Sequence, residues 1–170
     1  MQSTANAFVD RAYVPYSNRP GAAVVLLSDG TLVPGVRVEC ASFSLTISAL
    51  QNAITTAGMM LDTGRTIVAV YTDPAMRNEL TSYVEDIAER RLTRQDSHFY
   101  TSADLRMDTS LTKLYDPFIR FEVGAKTILR TRLARSVSAK AFVPESGFHV
   151  GCVLEIDDNR GIYGVNIESG

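Results

Sequence analysis

Two cysteines and two histidines are the residues with which this sequence could hold a transition metal, and Ser48 is its candidate nucleophile. Cys40, His98, His149 and Cys152 show no ligand spacing such as Cys-x-x-Cys. This favours a structural interpretation, in which a small cysteine is buried and the histidines lie at the surface. Ser48 stands at the start of a predicted helix, but no residue nearby could serve as its base. The sequence also lacks a P-loop, a Gly-x-Gly-x-x-Gly motif and a Gly-x-Ser-x-Gly motif.

Composition and charge exclude several classes of protein. The 170 residues are 45% hydrophobic and 21% charged, with a formal net charge of −2 and a pI near 5.7. An acidic chain of this kind does not offer a broad nucleic-acid surface. No apolar stretch approaches the roughly 20 residues that cross a bilayer, and Asp10 and Arg11 precede any apolar run, unlike a secretory signal. Two cysteines are too few for a disulfide framework, which predicts a cytoplasmic location.

The sequence contains an internal repeat. Residues 12–39 align without a gap over residues 141–168, so that Glu39 is aligned with Glu168. The other identical pairs include Ala12/Ala141, Val14/Val143, Pro15/Pro144, Ser17/Ser146, Val24/Val153, Asp29/Asp158, Gly35/Gly164 and Val36/Val165. A gapless match of this length indicates a duplication. The first copy continues through residues 40–60, whereas two residues follow the second, so we expect one complete unit and the opening third of another.

Hydrophobic periodicity predicts the elements of the first unit. Two apolar, β-branched runs joined by Ser28-Asp29-Gly30 predict a β-hairpin. The apolar residues from Leu45 to Met60 predict a helix that is apolar nearly all round. Such a helix is buried on both sides, and because one sheet covers one side, we expect it to form a homodimer or homotetramer interface. Residues 66–71 predict a buried strand.

The rest of the chain predicts a helix, a long loop and a second start. An amphipathic helix is predicted from the apolar stripe Leu80, Val84, Ile87 and Ala88. Residues 98–117 predict an irregular loop or insertion, residues 119–123 a strand, and residues 127–139 a helix that leads into the second copy. This order of elements predicts an α/β fold with α/β/α layers.

The motifs of the repeat resemble those of the cytidine deaminases. They are Ala-Tyr-Val-Pro-Tyr-Ser at 12–17, a second strand ending in Gly-x-x-x-Glu at 35–39, and Ala-Ser-x-x-Leu-Thr-Ile at 41–47. The resemblance covers residues 12–54 and, in the second copy, 128–168. It implies a mixed five-stranded sheet flanked by helices, and an enzyme that hydrolyses cytidine or deoxycytidine to the uridine form. Members are homotetramers or tandem chains with one active and one degenerate unit.

The resemblance also identifies where catalysis would occur, and the first unit lacks the necessary residues. In the family, zinc held by three Cys or His side chains activates water, and a Glu transfers protons. Ser48 stands at the first ligand position and Leu50 at that of the Glu. Residues 72–77, where Pro-Cys-x-x-Cys would supply two ligands, contain no cysteine. Serine is a poor zinc ligand because its hydroxyl stays protonated. We therefore expect no catalytic residue, no metal site and no zinc in this chain.

By the same resemblance, the second unit carries part of a nucleoside pocket. Phe148 matches the aromatic residue that lines the base pocket, and Asn166 and Glu168 match the pair that holds the ribose hydroxyls. The first copy has Arg19, Arg37 and Glu39 at these three positions. From the residues alone, two alternatives stay open: Phe148 as a core aromatic, and Asn166 as a turn or strand-end residue.

These interpretations predict a degenerate deaminase-like unit over residues 1–118 and an incomplete second unit, a helix plus a β-hairpin, over residues 119–170. The function implied is deamination of cytidine or deoxycytidine, with this chain carrying the non-catalytic unit and part of a pyrimidine nucleoside pocket. The alternative is an inactive scaffold or a nucleoside-binding pseudoenzyme. The family's zinc-ligand helix begins some ten residues beyond the ribose Glu, so we expect either a polypeptide that continues past Gly170 or a shortened product with another role.

Overall fold

The computed structural model describes residues 1–61, 64–73, 91–103, 105, 112–121, 127–157 and 159–168. Three sequence predictions fall outside these residues: the amphipathic helix of Leu80, Val84, Ile87 and Ala88, the segment 74–77 of the second ligand position, and the repeat match at Asp158.

The first sheet is mixed, as the sequence predicts. Within the described residues its strands are β1 (Ala22–Leu27), β2 (Thr31–Val36), β3 (Ile67–Tyr71), β4 (Leu92–Arg94), β5 (Phe99–Ser102) and β6 (Lys113–Leu114). Their spatial order is β4-β5-β3-β1-β2-β6, and every pair is antiparallel except β2 with β6. The α/β fold class is therefore confirmed, with six strands in this sheet rather than five.

The predicted irregular loop over residues 98–117 is wrong for β5 and β6. Asp96 ends β4 with an Asx turn, in which its Oδ1 accepts hydrogen bonds from the backbone N–H groups of His98 (2.7 Å) and Phe99 (2.8 Å). This turn reverses the chain, so that β5 pairs with both β4 and β3. Strands β4, β5 and β6 have two to four residues each, too few for periodicity to reveal, and β5 is held in the sheet by its pairing with β3.

The β1–β2 hairpin follows the turn chemistry that the sequence indicates. Gly30 has a φ of 83°, in the region that favours glycine. The Gly30 N–H donates to the Leu27 carbonyl at 3.0 Å, and the Thr31 N–H donates to Asp29 Oδ1 at 3.0 Å. The predicted hairpin is confirmed.

Helices cover both faces of this sheet. Helix α1 (Gln2–Phe8) lies on one face, where Met1 packs against the cluster formed by Leu26, Val68 and Ala69. Helix α2 (Ala49–Gly58) lies on the other, and its buried residues join those of β1, β2 and β3 in the main core. The predicted α/β/α layering is therefore present in the first unit.

Helix α2 differs from its prediction in length and in what covers it. Leu45 and Ile47, assigned to the helix, precede it and are 65% and 42% exposed. Its side away from the sheet is partly covered within the chain, because Phe142 and Ile167 pack against the same core. In addition, Lys140 Nζ donates to the Met59 carbonyl at 3.3 Å. Part of the cover of α2 therefore comes from the chain itself, and a subunit interface at this helix stays a prediction.

The second sheet repeats the start of the first. It has the order β7 (Ile119–Arg120), β9 (Arg160–Val165) and β8 (Gly151–Asp157). Its helix α3 (Thr127–Val137) packs on β8, as α1 packs on β1. In β8–β9, Gly151 pairs with Val165. The repeat aligns these two residues with Ala22 and Val36, which pair with each other in β1–β2. Of the strand predicted over residues 119–123, the structure has Ile119–Arg120, and residues 122–123 lie outside the described part of the chain. The helix predicted over residues 127–139 is confirmed as far as Val137.

The two hairpins differ in what covers them. Ala23, Val25 and Leu27 are fully buried under α2. Their counterparts in β8 are Cys152, which is exposed, and Leu154 and Ile156, which are 59% and 49% exposed. The second hairpin therefore presents to the exterior the row that α2 covers in the first.

Both cysteines are exposed free thiols, so the predicted burial of a cysteine is wrong. Of the two histidines, His149 is exposed and His98 is half-buried. Among the described residues, the helices are all too short or too polar to pass through a bilayer.

Candidate functional site

Glu168 organises the loop that enters the second hairpin. Its Oε2 accepts hydrogen bonds from the backbone N–H groups of Glu145 (3.1 Å) and Ser146 (3.0 Å), and its Oε1 accepts one from the Ser146 hydroxyl. The Ser146 hydroxyl, followed by the Ser146 N–H, holds the pKa of Glu168 below its ordinary value of 4.5, because each donor stabilises the ionised form. The carboxylate thus bridges the segment that follows β9 to the loop at 145–146.

Asn166 fixes the next part of the same loop. Its Oδ1 accepts from the Val150 N–H at 2.8 Å, and its Nδ2 donates to the Phe148 carbonyl at 2.8 Å. Both ends of the amide are used by the backbone of residues 148–150. The alternative of a strand-end structural residue therefore has direct support for Asn166.

Phe148 lies on this loop with its side chain exposed. Its N–H donates to Ser146 Oγ at 3.0 Å, and the residue is 71% exposed. Exposure of this degree contradicts the core-aromatic alternative. The structure therefore brings the three predicted pocket residues together: Asn166 and Glu168 shape the loop, and Phe148 projects from it.

The first unit has the same carboxylate clamp. Glu39 Oε2 accepts from the N–H groups of Tyr16 (3.0 Å) and Ser17 (3.1 Å), and Oε1 accepts from the Ser17 hydroxyl at 2.5 Å. Each of these partners is aligned by the repeat with its counterpart around Glu168. The Ser17 hydroxyl is again the main cause that lowers the pKa of Glu39 below its ordinary value of 4.5. Glu39 is buried, and Asn18 has a positive φ of 52° where Gly147 has 63°.

Ser17 and Ser146 are site residues whose role the sequence did not reveal. The two serines are an identical pair of the repeat, and each supplies the hydroxyl that binds the glutamate 22 residues later. The signal was available, because the serine and the glutamate recur together in both copies. Their contact could not be inferred without the hairpin that brings positions 17 and 39 together.

The first unit departs from the second at its two arginines. Arg37, at the position of Asn166, donates from Nε to Glu39 Oε1 at 3.1 Å. Arg19, at the position of Phe148, is exposed, and its N–H donates to Ser17 Oγ at 3.1 Å. Both arginines line a cavity of about 220 Å³, together with Pro20, Gly21, Ala22, Ser48, Ala49 and Asp73.

The residues at the first zinc-ligand and glutamate positions serve the fold. Ser48 is the N-cap of α2, where its side chain accepts a hydrogen bond from the Gln51 N–H at 3.0 Å. Leu50 is fully buried in the main core among β1, β2 and β3. One side chain therefore caps a helix and the other fills the core.

The second ligand position begins at Thr72 and Asp73, where the described residues offer neither cysteine nor histidine. Thr72 is buried, and its N–H donates to the His98 carbonyl at 2.9 Å. The His98 ring stacks on Tyr71 at a centroid distance of 5.6 Å, and its Nδ1 lies 3.1 Å from the Thr72 carbonyl oxygen. His98 therefore holds β5 to the end of β3, a role that no sequence signal indicated.

These donors do not fit a zinc ion. Zinc sites in proteins use cysteine, histidine and carboxylate ligands, whereas the first unit offers a capping hydroxyl and a buried leucine. Among the described residues, no group of three or more His, Cys, Asp or Glu side chains lies close enough to hold a metal. Residues 74–90 contain neither cysteine nor histidine in the sequence.

Comparison with known proteins agrees with the motifs. Residues 1–72 match the family model of the cytidine and deoxycytidylate deaminase zinc-binding region. The resemblance to the cytidine deaminases that the sequence indicates is therefore confirmed at the level of the family. A search of curated proteins found no match.

Solved structures of cytidine deaminases also resemble the chain. The enzyme from Mycobacterium leprae is 36% identical over 42% of this chain and 59% of its own, with a TM-score of 0.38. That from Burkholderia pseudomallei is 31% identical over 42% and 57%, with a TM-score of 0.34. The Mycobacterium tuberculosis enzyme is 23% identical over 64% and 92%, with a TM-score of 0.48. The chain thus matches somewhat over half the length of the first two enzymes.

Proposed function

We propose that this chain is the non-catalytic part of a cytidine deaminase-type protein that also holds the start of a nucleoside-binding unit. One observation carries the proposal. The first unit keeps the Ser17–Glu39 clamp of the family motif, while Ser48 caps a helix and Leu50 fills the core where catalysis would need a zinc ligand and a proton-transfer glutamate. The unit therefore has the residues of the fold without those of the reaction.

The division of the chain is part of this proposal. Residues 1–118 would form the degenerate unit and residues 119–170 would belong to the second unit. The first sheet lies within residues 22–114 and the second begins at Ile119. Matching strand register and matching glutamate clamps at aligned positions of the repeat support a duplication as the origin of both units.

The second unit would bind a pyrimidine nucleoside at the loop around Phe148. Asn166 and Glu168 hold residues 145–150 through five hydrogen bonds, so the ring of Phe148 projects from a fixed backbone. An exposed aromatic ring on an ordered loop is suited to stacking on a base. The resemblance assigns the ribose hydroxyls to Asn166 and Glu168, and a carboxylate that already accepts three bonds still has a lone pair for one more.

Cytidine titration of the full chain tests this proposal. We expect weak cytidine binding that Phe148→Ala reduces about 5- to 150-fold, since stacking on one base contributes about 1–3 kcal/mol. Tyr13→Ala is the matched control, because Tyr13 is 61% exposed and lies in the first unit. Uridine formation should stay at background. Equal weakening by the two variants, or uridine formation that survives repurification and a chelator, would contradict the proposal.

The alternative, an inactive scaffold, makes a different prediction for the same titration. It is favoured by the complete core of the first unit, in which Leu50 and Ile54 of α2 are fully buried against the sheet. A scaffold needs no nucleoside, so it predicts no cytidine binding by either the native chain or the Phe148→Ala variant.

Assembly and location also remain proposals. We propose that the chain forms a homodimer or homotetramer. The support for this comes from the exposed apolar residues that precede α2, namely Phe43, Leu45 and Ile47, and not from the helix itself. Light scattering at micromolar concentration tests this, and a stable monomer would refute it. The cytoplasmic location, without membrane or nucleic-acid partners, rests on the sequence arguments of composition and cysteine number.

A further inference from the structure

One cavity of the first unit is lined by residues whose types differ between the two copies of the repeat. Arg19 and Arg37 replace a phenylalanine and an asparagine, and both line this cavity of about 220 Å³. Two guanidinium groups add positive charge that neither stacking on a base nor bonding to a sugar hydroxyl requires. Paired guanidinium groups are typical of sites for phosphate and carboxylate groups.

Both arginines are held in place by the glutamate clamp. Arg37 is tied through Nε to Glu39, which leaves its terminal guanidinium nitrogens as further donors. Arg19 is tied through its backbone N–H to Ser17, whose hydroxyl is bound to Glu39. The buried carboxylate of Glu39 therefore positions the side chain of Arg37 directly and, through Ser17, the backbone of Arg19. It also balances part of the charge of Arg37.

The start of α2 adds to the positive potential of the cavity. Ser48 and Ala49, the N-cap and first residue of this ten-residue helix, line the same cavity as the arginines. The N-terminus of a helix carries a partial positive charge, which favours an anion there. The helix end and both arginines therefore line one cavity.

The size and the remaining charge of the cavity define the anion. A volume of about 220 Å³ lies below the roughly 300–1,000 Å³ of pockets that enclose whole small molecules, so a small anionic group fits better than a complete nucleoside. Asp73 also lines the cavity. Its carboxylate would repel an anion with no proton, but it could accept a hydrogen bond from the P–OH of a hydrogen phosphate group.

We propose that this first-unit cavity binds a hydrogen phosphate group, either free or as a phosphomonoester, between Arg19 and Arg37. The carboxylate of Asp73 accepts a hydrogen bond from the P–OH group. The site does not involve Phe148, Asn166 or Glu168 and goes beyond the proposed function. Nucleoside binding by the second unit can fail without affecting it.

Calorimetric titration of the full chain at constant ionic strength tests the proposal, with inorganic phosphate, sulfate, cytidine 5′-monophosphate and cytidine as probes. We expect one phosphate per chain, with sulfate binding at least about tenfold more weakly because it has no proton to donate to Asp73. Asp73→Asn should reduce this difference between the two anions. Tighter binding of the monophosphate than of phosphate would identify the ligand as a phosphomonoester, and equal binding would identify free phosphate; either outcome supports the site.

The variants Arg19→Phe and Arg37→Asn install the residues that the second copy has at these positions. Each should weaken phosphate binding about tenfold or more, since a hydrogen bond to a charged group contributes about 1.5–3 kcal/mol. Arg120→Ala, which removes an exposed arginine elsewhere, is the control and should change binding less than twofold. Arg19 is exposed, so its variant decides the matter even if Arg37→Asn unfolds.

Three results would overturn the proposal: no phosphate binding at millimolar concentration, sulfate binding as tightly as phosphate, or unchanged phosphate binding in Arg19→Phe. The cytidine probe separates this site from the nucleoside proposal. Cytidine binding that depends on Phe148 concerns the second unit alone, whereas phosphate binding that depends on Arg19 concerns the first.

Discussion

Two glycines at equivalent positions of the repeat should respond differently to the same substitution. Gly35 in β2 is aligned with Gly164 in β9, and neither has a positive φ. A Cβ at Gly35 would lie 2.3 Å from the Ala53 nitrogen and 2.4 Å from the Ala49 carbonyl oxygen, both backbone atoms of α2. A Cβ at Gly164 would meet only Cys152 Sγ, at 3.3 Å.

The size of the effect follows from these distances. Ordinary contacts begin at 3.4 Å, so Gly35→Ala must push α2 about 1 Å away from the sheet. A gap of that size forfeits a quarter to a half of the dispersion energy across it, here around Leu50 and Ile54, and overpacking strain costs about 1–3 kcal/mol. Together these give about 3 kcal/mol of destabilisation. Gly164→Ala should change the free energy of unfolding by less than about 1 kcal/mol. The one neighbour of the new Cβ is an exposed side chain that can shift, and alanine stabilises the fold slightly by lowering the conformational entropy of the unfolded chain.

Urea denaturation of the two variants measures the difference. We expect Gly35→Ala to lower the midpoint with little change in the m value, and to lower Tm by about 6–12 °C, since each kcal/mol corresponds to about 2–4 °C in a chain of this size. Gly164→Ala should denature close to the native chain. Equal small shifts in both variants would refute the packing of α2 on Gly35, and with it the assignment of the core of the first unit.

Three further outcomes are expected. Ser48→Ala should lower the free energy of unfolding by about 1 kcal/mol, because the α2 N-cap is lost. Ser48→Asp should lower it much less, because aspartate can also cap a helix. Equal losses of stability in the two variants, measured by urea denaturation, would argue against the cap. Leu50→Glu should not restore uridine formation and should destabilise the chain by more than about 3 kcal/mol, because it places an unpaired carboxyl in a fully buried site; a stable, active variant would contradict this. The pKa values of Glu39 and Glu168 are lowered from 4.5, so their contribution to stability is complete above pH 4.5 and is lost as pH falls through their lower folded-state values. Tm measured from pH 7 to pH 3 should therefore fall less steeply in Glu39→Gln than in the native chain.

Local chemistry made the hairpins predictable, and the motif identified the cap of α2, although hydrophobic periodicity began this helix too early, at Leu45. The turn Ser28-Asp29-Gly30 and the β-branched runs beside it specify β1 and β2, because both signals act within a few residues. The gapless repeat then carried the same hairpin to β8 and β9. Ser48 was placed at a helix start from its position in the motif, and it lies there as the N-cap.

The elements that the sequence did not reveal depend on contacts between distant residues. The β4–β5 hairpin is stabilised by pairing with β3, a strand from much earlier in the chain, as in the pair of Tyr100 with Val70. The strands of this hairpin are too short for periodicity to detect, and the Asx turn at Asp96 was its one local signal. The partners of Glu39 and Glu168 were likewise visible as recurring serines, but their contact requires two segments 22 residues apart to meet.

The zinc content of the purified chain tests the central claim most directly, namely that this protein has the family's fold residues without its metal chemistry. Elemental analysis of protein prepared without chelators measures it, and a parallel sample with added zinc followed by desalting excludes simple loss of the metal. The account predicts less than a tenth of a zinc ion per chain in both samples. The account would be contradicted by one zinc ion per chain that stays bound through desalting and is released when the chain is unfolded.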